Sequence, residues 1–306
     1  MKKTIISLCA ALAAVLSITS CQKEPALNPE SIISVPTRAK NAFDKWLEAN
    51  YVHPYNIQVK YRFEMDEADY SYITIPADMD CSIVMAHLVK YMCIDSYDEV
   101  AGVAFTRRYF PKMFFYIGEW EYKNNGSFIL GTAEGGKKIY LTGINYLPYV
   151  MEGAYGGHTD PAEAVNHYYV KTIHHEFTHI LNQTQDFPAD FTQVTPDLYV
   201  TDAWNTDEYK NNLERGFITT YAQHSDREDF AEMTSMFITH DAAWWEAQMV
   251  KAGATGSASI TTKLDIVKSY FKTAFDIDLE DLRNTILRRQ EEVMSGDIDL
   301  EALEIL

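Results

Sequence analysis

Two histidines and a glutamate stand close together in Thr172-Ile-His-His-Glu-Phe-Thr-His179, as His175-Glu176-x-x-His179. On a helix, residues four apart lie one above the other, with Cβ atoms about 5–6 Å apart. Two imidazole nitrogens at that spacing can meet at one Zn²⁺, each about 2.0–2.1 Å from it. Glu176 follows His175 by about 100° round the helix, so it flanks the ion without joining its ligands. Its carboxylate can take a proton from a water held by the zinc, as a general base. Three fixed positions in five arise by chance in a chain this long at roughly the one-per-cent level. The neighbours Ile173, Phe177, Thr178, Ile180 and Leu181 are uncharged, so this helix can lie buried beneath a site.

The third ligand must come from elsewhere. After His179 the chain runs Ile-Leu-Asn-Gln-Thr-Gln-Asp, with no further His-bearing extension. Downstream lies Arg227-Glu-Asp-Phe-Ala-Glu232, opening a second apolar-faced helix. Glu228 and Glu232 are four apart and share a face. Glu228 is the preferred ligand and Asp229 the alternative, although a helix N-terminus favours acids without any metal. Two histidines and one carboxylate leave the fourth position open. Glu232 can then orient one ligating histidine through its other ring nitrogen.

This combination resembles gluzincin-type zinc metallopeptidases. In several such families a tyrosine about two turns before the glutamate ligand stabilises the oxyanion, and Tyr221 stands seven residues before Glu228. A phenol there can donate to charge developing on a tetrahedral intermediate; a tyrosine with a plain packing role remains the equal alternative. With the N-terminal Ile18-Thr-Ser-Cys21, HHEFTH and REDFAE resemble the zinc-binding metallopeptidase lipoproteins of Bacteroidetes. Some of these are called substrate import-associated zinc metallohydrolase lipoproteins. The resemblance implies a zincin-like fold, a peptide or protein substrate, and a SusC/SusD-like outer-membrane importer as partner.

The elements around the motif follow from turn and cap signals. Asp160-Pro161 is a helix cap followed by a first-turn proline, and it predicts a helix running to about Gln183. Residues 113–122, 127–133 and 137–142 are β-prone runs separated by Asn125-Gly126 and Gly135-Gly136, which predicts an antiparallel meander. Its last strand, about 137–142, would offer an edge to an extended peptide. Residues 56–64 alternate as a strand, and 39–50 read as a short helix with Phe43 and Trp46 inward. Helices are expected over 211–221, 227–241, 259–274 and 278–293. The sum is an α+β, zincin-like domain: a β meander, the active-site helix, then a mainly helical C-terminal half. It spans residues 39–306, with an α/β lobe over about 39–183 and a helical lobe over about 184–306.

The N-terminus reads as an address. Lys2 and Lys3 precede an uncharged apolar run, Thr4 to Ile18, too short for a bilayer span of about 20 residues. Residues 1–20 are a signal peptide on this reading, Cys21 is the lipidated mature N-terminus, and 22–38 form a tether. Outer-membrane attachment, periplasmic or cell-surface, follows from the resemblance. The chain would be anchored to the membrane through its lipid only. Forty-four acids against 26 bases give a net charge of -18; losing Lys2 and Lys3 leaves 24 bases and -20. So acidic a surface repels phosphate backbones and argues against nucleic acid. Within the domain, Cys81 and Cys93 are twelve residues apart on one helix, about 18 Å, too far to bridge. The leading function is a zinc-dependent hydrolase, most simply a peptidase. The alternative is a non-catalytic zinc-containing lipoprotein that binds substrate for the importer.

Overall fold

The computed structural model describes residues 39–305, apart from 125 and 154. The leader, Cys21 and the tether therefore lie outside the described residues. Asn41 to Leu306 form a unit whose buried apolar cluster runs from Phe43 to Leu300. Among the described residues no helix is long and apolar enough to cross a membrane.

The first helix, Ala42–Leu47, is locked at its start by a reciprocal pair: Asn41 accepts from Asp44 N, and the Asp44 carboxylate accepts from Asn41 N. Phe43 and Trp46 point into the core as their spacing requires. Cys81 and Cys93 are both free, and burial pushes the Cys93 thiol far up.

The sheet departs from the expected meander. Strands β1 (Gln58–Lys60), β2 (Met113–Tyr116), β5 (Gly131–Glu134) and β6 (Lys138–Leu141) form one sheet in the order β1-β2-β6-β5. Strand β1 runs parallel to β2, and β2 parallel to β6; only β5 and β6 are antiparallel. Between them β3 (Glu121–Tyr122) and β4 (Phe128–Ile129) make a separate hairpin. Both tight turns are where the glycines put them. What differs is the pairing of 113–116. Phe114, Phe115 and Tyr116 are all buried, so this strand is covered on both faces, the situation that suits parallel neighbours. As a result β6 is central, and the edge falls to β5.

Asp160 accepts from Ala162 N, and Pro161 opens the helix as expected. The helix runs Pro161–Val165, passes through a wide π turn at Asn166–Val170, and continues as the site helix, Lys171–Thr184. Beyond it the helix expected over 211–221 is absent. Residues 211–220 form turns, in which Gly216 has φ +86° and a Cβ there would meet Ser259 Cβ at 2.7 Å. A short 3₁₀ turn, Tyr221–Gln223, follows. The acid helix Asp226–Thr239 is capped by Ser225, whose hydroxyl accepts from Glu228 N. The helix expected from 259 begins at Ala242 instead and reaches Phe275, kinked at Gly253; Asp241 caps it. The last helix is Leu279–Met294.

Candidate metal centre

The site helix is sided. His174 points into the core, fully buried, with Tyr97 Oη 3.3 Å from its Nδ1, and burial lowers its pKa to about 3. His175 and His179 emerge on the other side. Their Nε2 atoms are 3.1 Å apart, and Glu228 Oε2 lies 3.0 Å from the first and 3.2 Å from the second. Ser225 sets this by starting the acid helix so that its first turn faces the histidines. Among the described residues this is the one group of three or more His, Cys, Asp or Glu side chains whose ligand atoms converge.

The donor set fits zinc. Tetrahedral donors about 2.0–2.1 Å from one ion stand about 3.3–3.4 Å from each other. Three donors converging on one point, two of them aromatic nitrogens facing each other, ask for a cation between them. The charges agree. Burial pushes Glu228 up, but its contacts with His175 and His179 outweigh that and hold the carboxyl well below the usual range. Burial lowers His175, while Glu228 and Glu232 raise it further, to about 9.

Glu232 sits behind His175, with Oε1 at 2.7 Å from Nδ1, at ion-pair distance though off the line of an ideal hydrogen bond. Glu176 is half-buried beside the cluster, and Ala133 N on strand β5 donates to its Oε2 at 2.7 Å. Burial raises the Glu176 pKa, against the pull of His175 and His179. Strand and helix come this close because Gly131 has no side chain: a Cβ there would meet Tyr140 O at 2.9 Å and Thr172 Cγ2 at 3.0 Å. Tyr221 lies beside the cluster, its ring 6.0 Å from that of His175. Burial pushes its phenol well up, and Glu228 and Glu176 add to it. Trp204 packs edge-on against Tyr221 at 5.0 Å, and His224 stacks at 5.8 Å.

Every expected site residue of the domain is thus within one neighbourhood: His175, Glu176, His179, Tyr221, Glu228 and Glu232. Asp229 is not. It turns away from the histidines, accepting from Lys263 Nζ at 2.6 Å and Tyr199 Oη at 3.0 Å. The sequence alone did not reveal the Ala133 amide or the two further partners of Glu232, Lys171 and Thr219. These act through tertiary contacts and carry no motif.

A family model described as "Putative zinc-binding metallo-peptidase" matches residues 36–280, most of the chain. The chain belongs to this family. A crystal structure of a "putative zinc-binding metallo-peptidase from Bacteroides caccae ATCC 43185" is similar at 37% identity, with a TM-score of 0.73, over 90% of this chain and all of the other. Comparison with curated proteins gives no match. This zinc-binding metallopeptidase is therefore an α+β protein with a small sheet.

Proposed function

We propose that His175, His179 and Glu228 hold the zinc and that Glu176 is the general base of peptide hydrolysis. The observation that carries this is the meeting of His175 Nε2, His179 Nε2 and Glu228 Oε2 within 3.0–3.2 Å, with a carboxylate alongside. When bound, zinc supplies a Lewis acid that polarises a carbonyl and makes water acidic near neutral pH. The protein's own groups do the rest. Ala133 N–H fixes Glu176 Oε2 and leaves Oε1 to take a proton and return it to the leaving amine. The partly buried setting of Glu176 raises its proton affinity, which suits an acid that must both accept and release. The Tyr221 phenol stays protonated and can donate to the developing oxyanion.

Strand β5 supports the substrate's placement. Thr142 N donates to Leu130 O, and the register pairs Gly131 with Leu141 and Ala133 with Ile139. In that alternation Gly131 and Ala133 turn their backbone groups away from β6, toward the site. An extended peptide along this edge would lie beside Glu176. The Ile18-Thr-Ser-Cys21 run supports a lipid anchor in the outer membrane at Cys21. A SusC/SusD-like importer as partner remains part of this proposal on the strength of the family resemblance.

The test is metal content and peptide cleavage together. The purified protein should hold one zinc per chain, lose cleavage of a mixed peptide library on chelation, and regain it with added zinc. A chain that takes up no zinc, or stays inert towards every peptide when loaded, would overturn the proposal.

A further inference from the structure

Glu232 is only 1% exposed, and both oxygens of its carboxylate have donors. Its surroundings are a complete set of donors. Lys171 Nζ donates to Oε1 at 2.7 Å, the same oxygen that faces His175 Nδ1. Thr219 Oγ1 donates to Oε2 at 2.7 Å. Lys171 stands one turn before His175 on the site helix, so the two side chains lean over the same strip of surface. Thr219 stands two residues before Tyr221, and its oxygen accepts from Ala222 N at 3.1 Å, inside the turn that carries the phenol.

The Lys171–Glu232 pair is no ordinary surface ion pair. Exposed pairs contribute little, because water screens them and holding two long side chains together costs entropy. Here one partner is buried and the other is 17% exposed, so the acid is costly to leave unpaired and has little room to turn. With both oxygens taken, Glu232 can face His175 in only one way. That in turn sets which ring nitrogen of His175 points at His179 and Glu228.

We infer that Lys171 and Thr219 are positioning residues for the metal centre. Together they clamp Glu232, and through it they fix the His175 ring with Nε2 turned into the donor cluster. Thr219 also ties the Tyr221 turn to the same acid, so ligand and phenol are referenced to one buried group. This inference rests on the zinc reading proposed above.

The measurement is the zinc dissociation constant by competition with a chromophoric chelator, which needs no turnover. Groups behind metal ligands typically contribute about 10- to 100-fold in affinity. Lys171→Met should therefore weaken zinc binding by about that factor, and Thr219→Val should move it in the same direction by less. Lys171→Arg keeps a cation opposite Glu232 and should restore most of the loss. A purely structural role for Lys171 would not be rescued selectively in this way. Wild-type zinc affinity in both Lys171→Met and Thr219→Val would sink the inference, as would a Lys171→Arg no tighter than Lys171→Met. Should Lys171→Met fail to fold, unchanged affinity in Thr219→Val is by itself enough to overturn it. Failure of the underlying reading has a different signature: the wild-type chain itself then binds no zinc.

Discussion

Ala133 N–H on the edge strand donates to Glu176 Oε2 across 2.7 Å, so a backbone group of the sheet holds the acid of the site helix in place. One oxygen is engaged and the other is left for proton transfer. Glu176→Gln keeps the shape and gives Ala133 an acceptor, but it cannot take the proton. We expect zinc content to be unchanged and kcat to fall by about 10²–10⁴-fold, the usual contribution of a general base. Steady-state kinetics beside metal analysis checks both halves.

Glu228 approaches both histidines, at 3.0 and 3.2 Å. Glu228→Ala should weaken zinc binding by more than the about 10- to 100-fold typical of groups behind the ligands. The helix should survive, because Ser225 caps it through the backbone N–H of residue 228. Circular dichroism and chelator competition separate the two effects.

Tyr221→Phe removes only a hydroxyl and leaves the packing against Trp204 in place. If that hydroxyl serves the transition state, kcat should drop by about 10²–10³-fold. KM and zinc affinity should stay as they were. A change in KM alone would mark Tyr221 as a substrate contact instead.

Lys263 and Asp229 form an ion pair with neither side chain exposed, and Lys263 Nζ also donates to Gly216 O at 2.9 Å. The charge stands 3.9 Å over the Phe217 ring. Lys263→Met should cost about 3–5 kcal/mol, since it strands a buried carboxylate. Urea unfolding of the zinc-free protein measures this. Such a loss would mark the Lys263–Asp229 pair as part of what holds the two helices together.

Acid stability should depend on Asp44. Its bidentate contact with Arg62, at 2.6 and 2.7 Å, lowers its pKa from 3.8 to about 2. The folded state thus binds this proton less readily than the unfolded chain. The stabilisation is fully present above about pH 4 and is lost as pH falls toward 2. Asp44→Asn should be less stable than wild type at neutral pH, and the gap should close between pH 4 and 2. Thermal melts across that interval test the sign.

Local chemistry was readable from the residues, and non-local pairing was not. Asp160-Pro161, the i,i+4 histidines and the acids at the start of the second helix are each specified within one or two turns of chain. That is why His175, His179 and Glu228 come together. Gly135-Gly136 likewise marked a real turn. The sheet failed because nothing within Met113–Tyr116 says that its partners are Gln58–Lys60 and Lys138–Leu141, both parallel and far away in sequence. The start of the long helix at Ala242 was hidden by Gly253 and Gly256, which lower helix propensity where packing supplies the order. The expected helix over 211–221 gave way to turns because Gly216 sits at a positive φ hard against Ser259, and the chain there must deliver Tyr221.

The π turn at Asn166–Val170 fixes an angular phase. Its wider i→i+5 bonding inserts an extra residue between the start anchored by Asp160 and the histidines beyond. Straightening it into regular α-helix with all five residues kept would advance the later half of the rod by about 100° about its own axis. His174 would then take the place of His175, and His179 that of the buried Ile180, with every letter of the motif intact. This one turn thus decides which histidines of the site helix face Glu228.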